Sequence, residues 1–176
     1  MTNPTPLIEM RGITKRFGGV TALDDVSLQI MPGEIHCLAG ENGSGKSTII
    51  KVMSGVYQPD AGSVFIDGQP AGVLDPVKST AAGIQVIYQD FSLFPTLSVV
   101  ENLTINSFLR EGARVVDRKR ARQMTGEVLA RLGVDLPLDA AVETLPTSGR
   151  QLVAIARAVL ADARLIIMDE PTTALT

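Results

Sequence analysis

Apolar and polar positions along the 176-residue chain fall into short runs and helical stripes, punctuated by glycine and proline. Leu7 to Ile13 and Ser27 to Ile30 read as short strands. The turn Met31-Pro32-Gly33 leads into the apolar run Glu34 to Ala39, which reads as a buried strand. A glycine-rich stretch follows at once, and Lys46 to Ser54 then reads as a helix stopped by Gly55. Gln58-Pro59-Asp60-Ala61-Gly62 is a loop ahead of a strand from Ser63 to Asp67. Asp75-Pro76 supplies an N-cap and a first-turn proline for a short helix that Gly83 ends, and Ile84 to Tyr88 is the next strand.

From Asp90 onward the period changes to that of helices. Ser98 with Glu101 makes a capping box, and Asp117 caps a helix that ends near Gly133. In that helix Ala121, Met124, Val128 and Leu132 share one side, which leaves Arg118, Lys119, Arg120 and Arg122 to a solvated face. Leu152, Ile155, Ala156 and Val159 mark a further amphipathic helix, and Arg164 to Met168 reads as an apolar strand ending in Asp169 and Glu170. The expected organisation is one domain over residues 1–176, with 1–90 and 150–176 forming the core and 91–149 a helical lobe. No internal repeat or low-complexity segment interrupts it.

Composition narrows the picture. A 45% hydrophobic chain of this length supports one compact core. A net charge of -3 and a pI near 5.2 supply no basic surface for a nucleic acid, so none is expected as a partner. The single cysteine, Cys37, has no disulfide partner, as in a reducing compartment. No run approaches the roughly 18 apolar residues that span a bilayer, and Met1 to Pro6 lacks a signal-peptide core. The expected location is the cytoplasm, with attachment to a membrane protein compatible with everything above.

The chemistry concentrates in Gly40-Glu41-Asn42-Gly43-Ser44-Gly45-Lys46-Ser47, which fits G-x-x-x-x-G-K-[ST] between a predicted strand and a predicted helix. Glycines let the backbone bend so that successive N–H groups converge on an anion, and the helix adds the positive end of its dipole. Lys46 is the candidate for the β- and γ-phosphates, and Ser47 offers a hydroxyl to Mg²⁺, a hard cation that takes oxygen ligands. Leu165 to Glu170 presents two acids at the carboxyl end of a strand, the edge where ligands bind in such sheets. Asp169 is the candidate magnesium partner. Glu170 is the candidate for orienting or deprotonating the attacking water.

The order of the remaining motifs resembles the nucleotide-binding domain of ABC transporters, from Ile13-Thr14-Lys15-Arg16-Phe17-Gly18 through Gly40 to Thr48, Gln89, Val153 to Ala158, and Met168-Asp169-Glu170-Pro171-Thr172. The resemblance implies an α/β P-loop NTPase core with a parallel sheet, an N-terminal antiparallel β subdomain and an inserted α-helical lobe. It implies ATP and Mg²⁺ as cofactors, held by Gly40, Asn42, Gly43, Ser44, Gly45, Lys46, Ser47 and Thr48, with Ser47, Gln89 and Asp169 toward the metal. Phe17 matches the family's adenine-stacking aromatic; an ordinary core phenylalanine is the alternative. Gln89 matches the family's glutamine near the metal or attacking water, so Glu170, Gln89 and Lys46 are the implied catalytic set.

Within the family, Gly55 to Gly62, Phe91-Ser92-Leu93-Phe94-Pro95 and Thr172 to Thr176 look most like simple-sugar importers of the ribose and galactoside type. In that group two such domains share one polypeptide, and this chain is similar to the N-terminal one, cut before the family's switch histidine. The implied partners are a second ATP-binding domain and an integral membrane permease, with the protein peripheral on the inner face of the membrane. The Phe91 to Pro95 segment lies where the family grips its permease, or else packs inside the lobe. The expected function is ATP-driven uptake of a small solute; the alternative is a regulatory or non-transport module with little hydrolysis.

One motif departs from the pattern. The family's Leu-Ser-Gly-Gly-Gln is replaced by Leu145-Pro146-Thr147-Ser148-Gly149, and in the family that segment binds the γ-phosphate held by the opposite domain. Pro146 removes a hydroxyl and an N–H, while Thr147 and Ser148 add Cβ atoms where backbone approaches phosphate. The expectation is an asymmetric pair, weakened at the partner's nucleotide and competent at its own, with poor hydrolysis by this fragment alone.

Overall fold

The computed structural model describes residues 5–169, which contribute to two compact units, Met1–Gln85 and Val86–Thr176. The first unit is built on a four-stranded antiparallel sheet in the order β2-β1-β3-β4, from β1 (Ile8–Phe17), β2 (Val20–Ile30), β3 (Ala61–Ile66) and β4 (Gln69–Pro70). β1 and β2 form one long hairpin, Ile8 opposite Ile30 at its base and Phe17 opposite Val20 at its tip. The strands run well past the two short segments expected from hydropathy. Gly18-Gly19 between an aromatic and a β-branched residue is the hairpin signal that marks the extension.

One face of this sheet supplies the core. Ile8, Met10 and Ile13 are at most 1% exposed, and Leu23, Ile30 and Val64 are buried with them. The helix α1 (Lys46–Met53) packs against β2 and buries Ile49, Ile50, Val52 and Met53. Asp60 ties the loop before β3 to β1: its carboxylate accepts from the Arg16 N–H at 2.6 Å and from Lys15 Nζ at 3.0 Å. The short helix α2 (Pro76–Ala81) starts as expected, with Asp75 accepting from the Lys78 N–H and proline in the first turn.

The expected buried strand over Glu34 to Ala39 is not formed. The segment joins no ladder among the described residues, Ile35 is 99% exposed, and Cys37 is exposed. Apolar composition favours burial, but a buried strand also needs neighbours to take its backbone N–H and C=O groups, and among the described residues no ladder supplies them.

The second unit joins β5 (Ile84–Ile87) and β6 (Leu165–Met168) in a parallel pair, and the chain between them is helical. α3 (Val99–Arg110), α4 (Arg118–Leu132) and α5 (Thr147–Leu160) pack on one another around Val99, Leu103, Val128, Leu129, Leu136, Val142, Leu145, Val153 and Ala156. Both helix starts read from the sequence are present: the Ser98–Glu101 box closes in both directions, and the Asp117 side chain accepts from the Lys119 and Arg120 N–H groups. Gly133 ends α4 in the left-handed conformation.

The buried stripes differ from expectation by about one position. α4 buries Ala121, Thr125, Val128 and Leu129, and α5 buries Gly149, Val153, Ala154, Ala156 and Ala158, with Leu152 and Val159 only partly covered. Small residues suit positions pressed between two neighbours, because they let the backbones approach closely, so α5 is buried over a broader arc than its large residues mark. The basic residues of α4 are exposed, as expected; Arg120 makes a bidentate pair with Glu111 at 2.7 Å on both arms, and Arg122 pairs with Asp139.

The capping box has a pH signature. Hydrogen bonds from the Ser98 backbone N–H, then from its hydroxyl, hold the Glu101 carboxyl below its ordinary value. A carboxyl that binds protons less readily folded than unfolded contributes stability above the ordinary Glu range and loses it as pH falls through the folded value. Urea midpoints followed between pH 7 and pH 3 are expected to fall less steeply in Glu101→Gln than in the unaltered chain; identical slopes would remove the box from the acid response.

Candidate functional site

In the first unit the loop between Ala39 and α1 carries the glycine-rich motif. Gly43 and Gly45 are left-handed, at φ 84° and 90°, and Gly45 is the N-cap of α1. Gly45 is required here twice over: a Cβ would strain that backbone and would lie 2.7 Å from the Ala22 carbonyl oxygen and 2.9 Å from Leu23 Cδ2. The helix therefore starts abruptly with Lys46, and the N–H groups of its first turn have no intrahelical partners. No side chain caps it. Such an end carries partial positive charge and suits an anion.

Lys46 folds back over this loop, its Nζ donating to the carbonyl oxygens of Gly40 and Glu41 at 2.7 Å each. Asn42, Gly43, Ser44 and Ser47 are exposed, Thr48 partly so. The hydroxyl of Ser47 sits one residue beyond the lysine at the mouth of the helix. Phe17, at the tip of the β1–β2 hairpin, is 42% exposed rather than a core residue. Its ring meets Tyr57 edge-on, with centroids 5.1 Å apart, and Lys15 Nζ stands 5.5 Å from its centroid. The Tyr57 partner was not legible in the sequence, because the residues are 40 positions apart and only the pairing of β1 with β3 brings their segments near.

In the second unit the Asp169 N–H donates to the Ile87 carbonyl at 3.0 Å, so Asp169 and the exposed Gln89 lie at the same end of the β5–β6 pair, beyond the carboxyl ends of both strands. That edge is where side chains of parallel strands meet ligands. Glu170 and the segment from Pro171 through Thr176 lie outside the described residues.

The segment Leu145 to Gly149 forms the start of α5. Leu145 is buried, Pro146 holds the N-cap position with φ -61° and ψ 162°, and Thr147 and Ser148 are exposed in the first turn. Proline leaves the cap without a side-chain acceptor. Arg150, not anticipated from the sequence, reaches back to the carbonyls of Leu145 at 3.0 Å and Glu143 at 3.1 Å.

All of the donors expected around a metal, the Ser47 hydroxyl, the Gln89 amide and the Asp169 carboxylate, offer oxygen, which is the chemistry that Mg²⁺ accepts. A glycine-turned loop that feeds a lysine and a hydroxyl into an uncapped helix start defines a phosphate-binding protein of the P-loop class. More narrowly, the chain belongs to the ABC transporter family, whose sequence profile its residues 23–173 match.

The chain is 51% identical over 175 residues to the ribose import ATP-binding protein RbsA 2 of Rubrobacter xylanophilus, covering 97% of this chain and 33% of that protein. It is 49% identical to RbsA 1 of Burkholderia cenocepacia, covering 99% of this chain and 34% of that protein. It thus spans about a third of the length of these curated relatives. Among solved structures it resembles cbiO1 from Clostridium perfringens, part of the ABC transporter complex cbiONQ, with a TM-score of 0.82 at 23% identity, covering 98% of this chain and 68% of that one. It also resembles MJ1267, an ATP-binding cassette of an ABC transporter in its ADP conformation, with a TM-score of 0.81 at 26% identity, covering 97% and 71% of the two chains. The α/β fold with its antiparallel subdomain is that of the ABC cassette.

Proposed function

We propose that this chain is an ATP-binding and ATP-hydrolysing segment of a protein that energises uptake of a small solute, of the sugar class, through a membrane permease. The observation that carries the proposal is the loop from Gly40 to Ser47, left-handed at Gly43 and Gly45, with Lys46 already turned onto it. The sugar assignment draws on the ribose import proteins that the chain resembles.

The roles combine the chemistry of the residues with what the resemblance to the family implies for Phe17 and Gln89. Loop N–H groups and the α1 start take the phosphates, and Lys46 exchanges two carbonyls for phosphate oxygens, which as charged acceptors make stronger hydrogen bonds. Phe17, exposed and braced by Tyr57, offers a flat face to the adenine. Ser47 and Asp169 would each offer an oxygen to Mg²⁺, which when bound neutralises charge on the phosphates, and Gln89 would offer its amide to the metal or the attacking water. Glu170 orients or deprotonates that water. The permease and a second ATP-binding domain are the partners in this reading, and the protein works at the inner face of a membrane. No helix among the described residues is long and apolar enough to cross one.

Titration of the chain with a fluorescent ATP analogue tests the central claim: saturable binding that depends on magnesium is expected, and none in a folded chain would overturn it. The segment at the start of α5 has its own test. Pro146→Ser restores a hydroxyl at an N-cap whose backbone is already extended, which is expected to stabilise α5 by about 1 kcal/mol. Combined with Thr147→Gly and Ser148→Gly, it is expected to raise ATP turnover in the two-domain protein; unchanged turnover would count against the asymmetric arrangement.

A further inference from the structure

The loop that follows β5 holds an expensive backbone. Phe91 and Ser92 are consecutive non-glycine residues in the left-handed region, at φ 58° and 46°. A Cβ makes that region costly, and such a pair persists only where its surroundings impose it. Local contacts supply part of the constraint: the Phe91 N–H donates to the Tyr88 carbonyl at 2.8 Å, and the Ser92 N–H to the Asp90 carboxylate at 3.2 Å.

The remainder comes from far along the chain. Arg157, in α5, donates from Nη1 to the Ser92 carbonyl at 2.8 Å and from Nη2 to the Phe91 carbonyl at 3.1 Å. Successive residues of one helical sense point their carbonyls the same way, and a planar guanidinium offers two donors in a fixed fork that can take both. Arg157 is half-buried, desolvation pushes its pKa down, and its described hydrogen bonds go to these two carbonyls. A second, separate anchor secures the far side of the loop. Asn102, fully buried in α3, accepts from the Phe94 N–H at 2.8 Å and donates to the Phe94 carbonyl at 2.9 Å.

We propose that Arg157 is a positioning residue that imposes the left-handed turn at Phe91–Ser92 and so fastens the loop after Gln89 to α5, the helix that begins at Thr147. Its consequence for catalysis rests on the nucleotide reading above, in which Gln89 serves the metal or the attacking water and the segment at the start of α5 faces the γ-phosphate held by the partner domain. A shift of α5 is then passed to the Gln89 loop through two hydrogen bonds.

Amide exchange by NMR on the chain tests the fastening without any nucleotide. In Arg157→Gln the Phe91 and Ser92 amides are expected to exchange at least tenfold faster, while the Phe94 amide, held by Asn102, and the Val153 and Ala156 amides within α5 stay within twofold. Arg157→Lys is expected to behave like Arg157→Gln, because one ammonium does not reproduce the fork. Unchanged Phe91 and Ser92 rates, or a uniform rise through Phe94 and α5, would overturn the proposal. Should Arg157→Gln fail to fold, Ser92→Gly in the unaltered background carries the test, since glycine takes the left-handed region freely. A raised Tm is expected, and a lowered one overturns the claim of imposed strain. In ATP turnover by the two-domain protein Arg157→Gln is expected to lower kcat severalfold with KM unchanged, and a raised KM at constant kcat contradicts positioning. Absence of nucleotide binding by the unaltered chain would remove the functional reading and leave the exchange result standing.

Discussion

Lys46→Ala is expected to weaken binding of magnesium ATP by about ten- to a hundredfold, the range that a charge-assisted hydrogen bond of about 1.5–3 kcal/mol gives at about 1.4 kcal/mol per decade. The effect is a difference between two sets of bonds. In the chain described here the Lys46 ammonium already has two carbonyl acceptors, on Gly40 and Glu41. Phosphate oxygens carry charge and bind an ammonium roughly twice as strongly, so the exchange still favours the nucleotide. Alanine also removes the tether that draws residues 40 and 41 toward α1, so the free loop loosens. Equilibrium binding with a labelled nucleotide, with circular dichroism to establish the fold, makes the measurement. An affinity equal to that of the unaltered chain would mean that the loop is not where phosphate binds.

The second large effect is on stability. Gly62→Ala is expected to cost about 3 kcal/mol or more, a large share of the net stability of an ordinary domain. Gly62 lies in β3 at φ 92°, and a Cβ there would stand 2.4 Å from the Gly12 carbonyl oxygen and 2.5 Å from that of Arg11. Both oxygens belong to the backbone of β1, at the place where the β1–β3 register shifts between Arg11 and Thr14. Backbone cannot swing aside as a long side chain can, so relief must come from parting the two strands over the core of Ile8, Met10 and Ile13. Urea unfolding followed by circular dichroism checks this, with the exposed neighbour Ser63→Ala as a control expected to stay within about 0.5 kcal/mol. A Gly62→Ala midpoint indistinguishable from the control would show that the sheet gives way at little cost.

These two positions differ in how much of their role is legible in the sequence. The phosphate loop was legible because its chemistry is local: the glycines, lysine and serine act within eight consecutive positions, and spacing alone fixes their relation to the helix start. The caps at Asp75, Ser98 and Asp117 were legible for the same reason, each being a side chain meeting a backbone N–H two or three residues away. Gly62, by contrast, read only as the end of a turn. Its importance lies in carbonyls 50 and 51 residues back, which no local pattern predicts.

The assignments that shifted share one cause. Glu34 to Ala39 reads as a buried strand because its composition is apolar, yet strand formation depends on partners elsewhere in the chain, and in the described residues it has none. The stripe on α5 shifts because alanine signals little in a hydropathy pattern while filling the tightest contacts, at Ala154, Ala156 and Ala158. Arg157 reads in the sequence only as part of the Val153 to Ala158 motif; its two bonds to Phe91 and Ser92 cross 66 and 65 positions.

The amino-acid order by itself carried the glycine-lysine-serine motif, the caps that start α2, α3 and α4, and the family, since these depend on groups that meet within a turn or two of chain. Only the tertiary structure decided that Phe17 is exposed beside Tyr57, that Gly62 is pressed against the carbonyls of Arg11 and Gly12, and that Arg157 on α5 bonds the loop after Gln89. Those are meetings between distant segments, and their energy comes from packing and pairing that exist only once the chain has closed on itself.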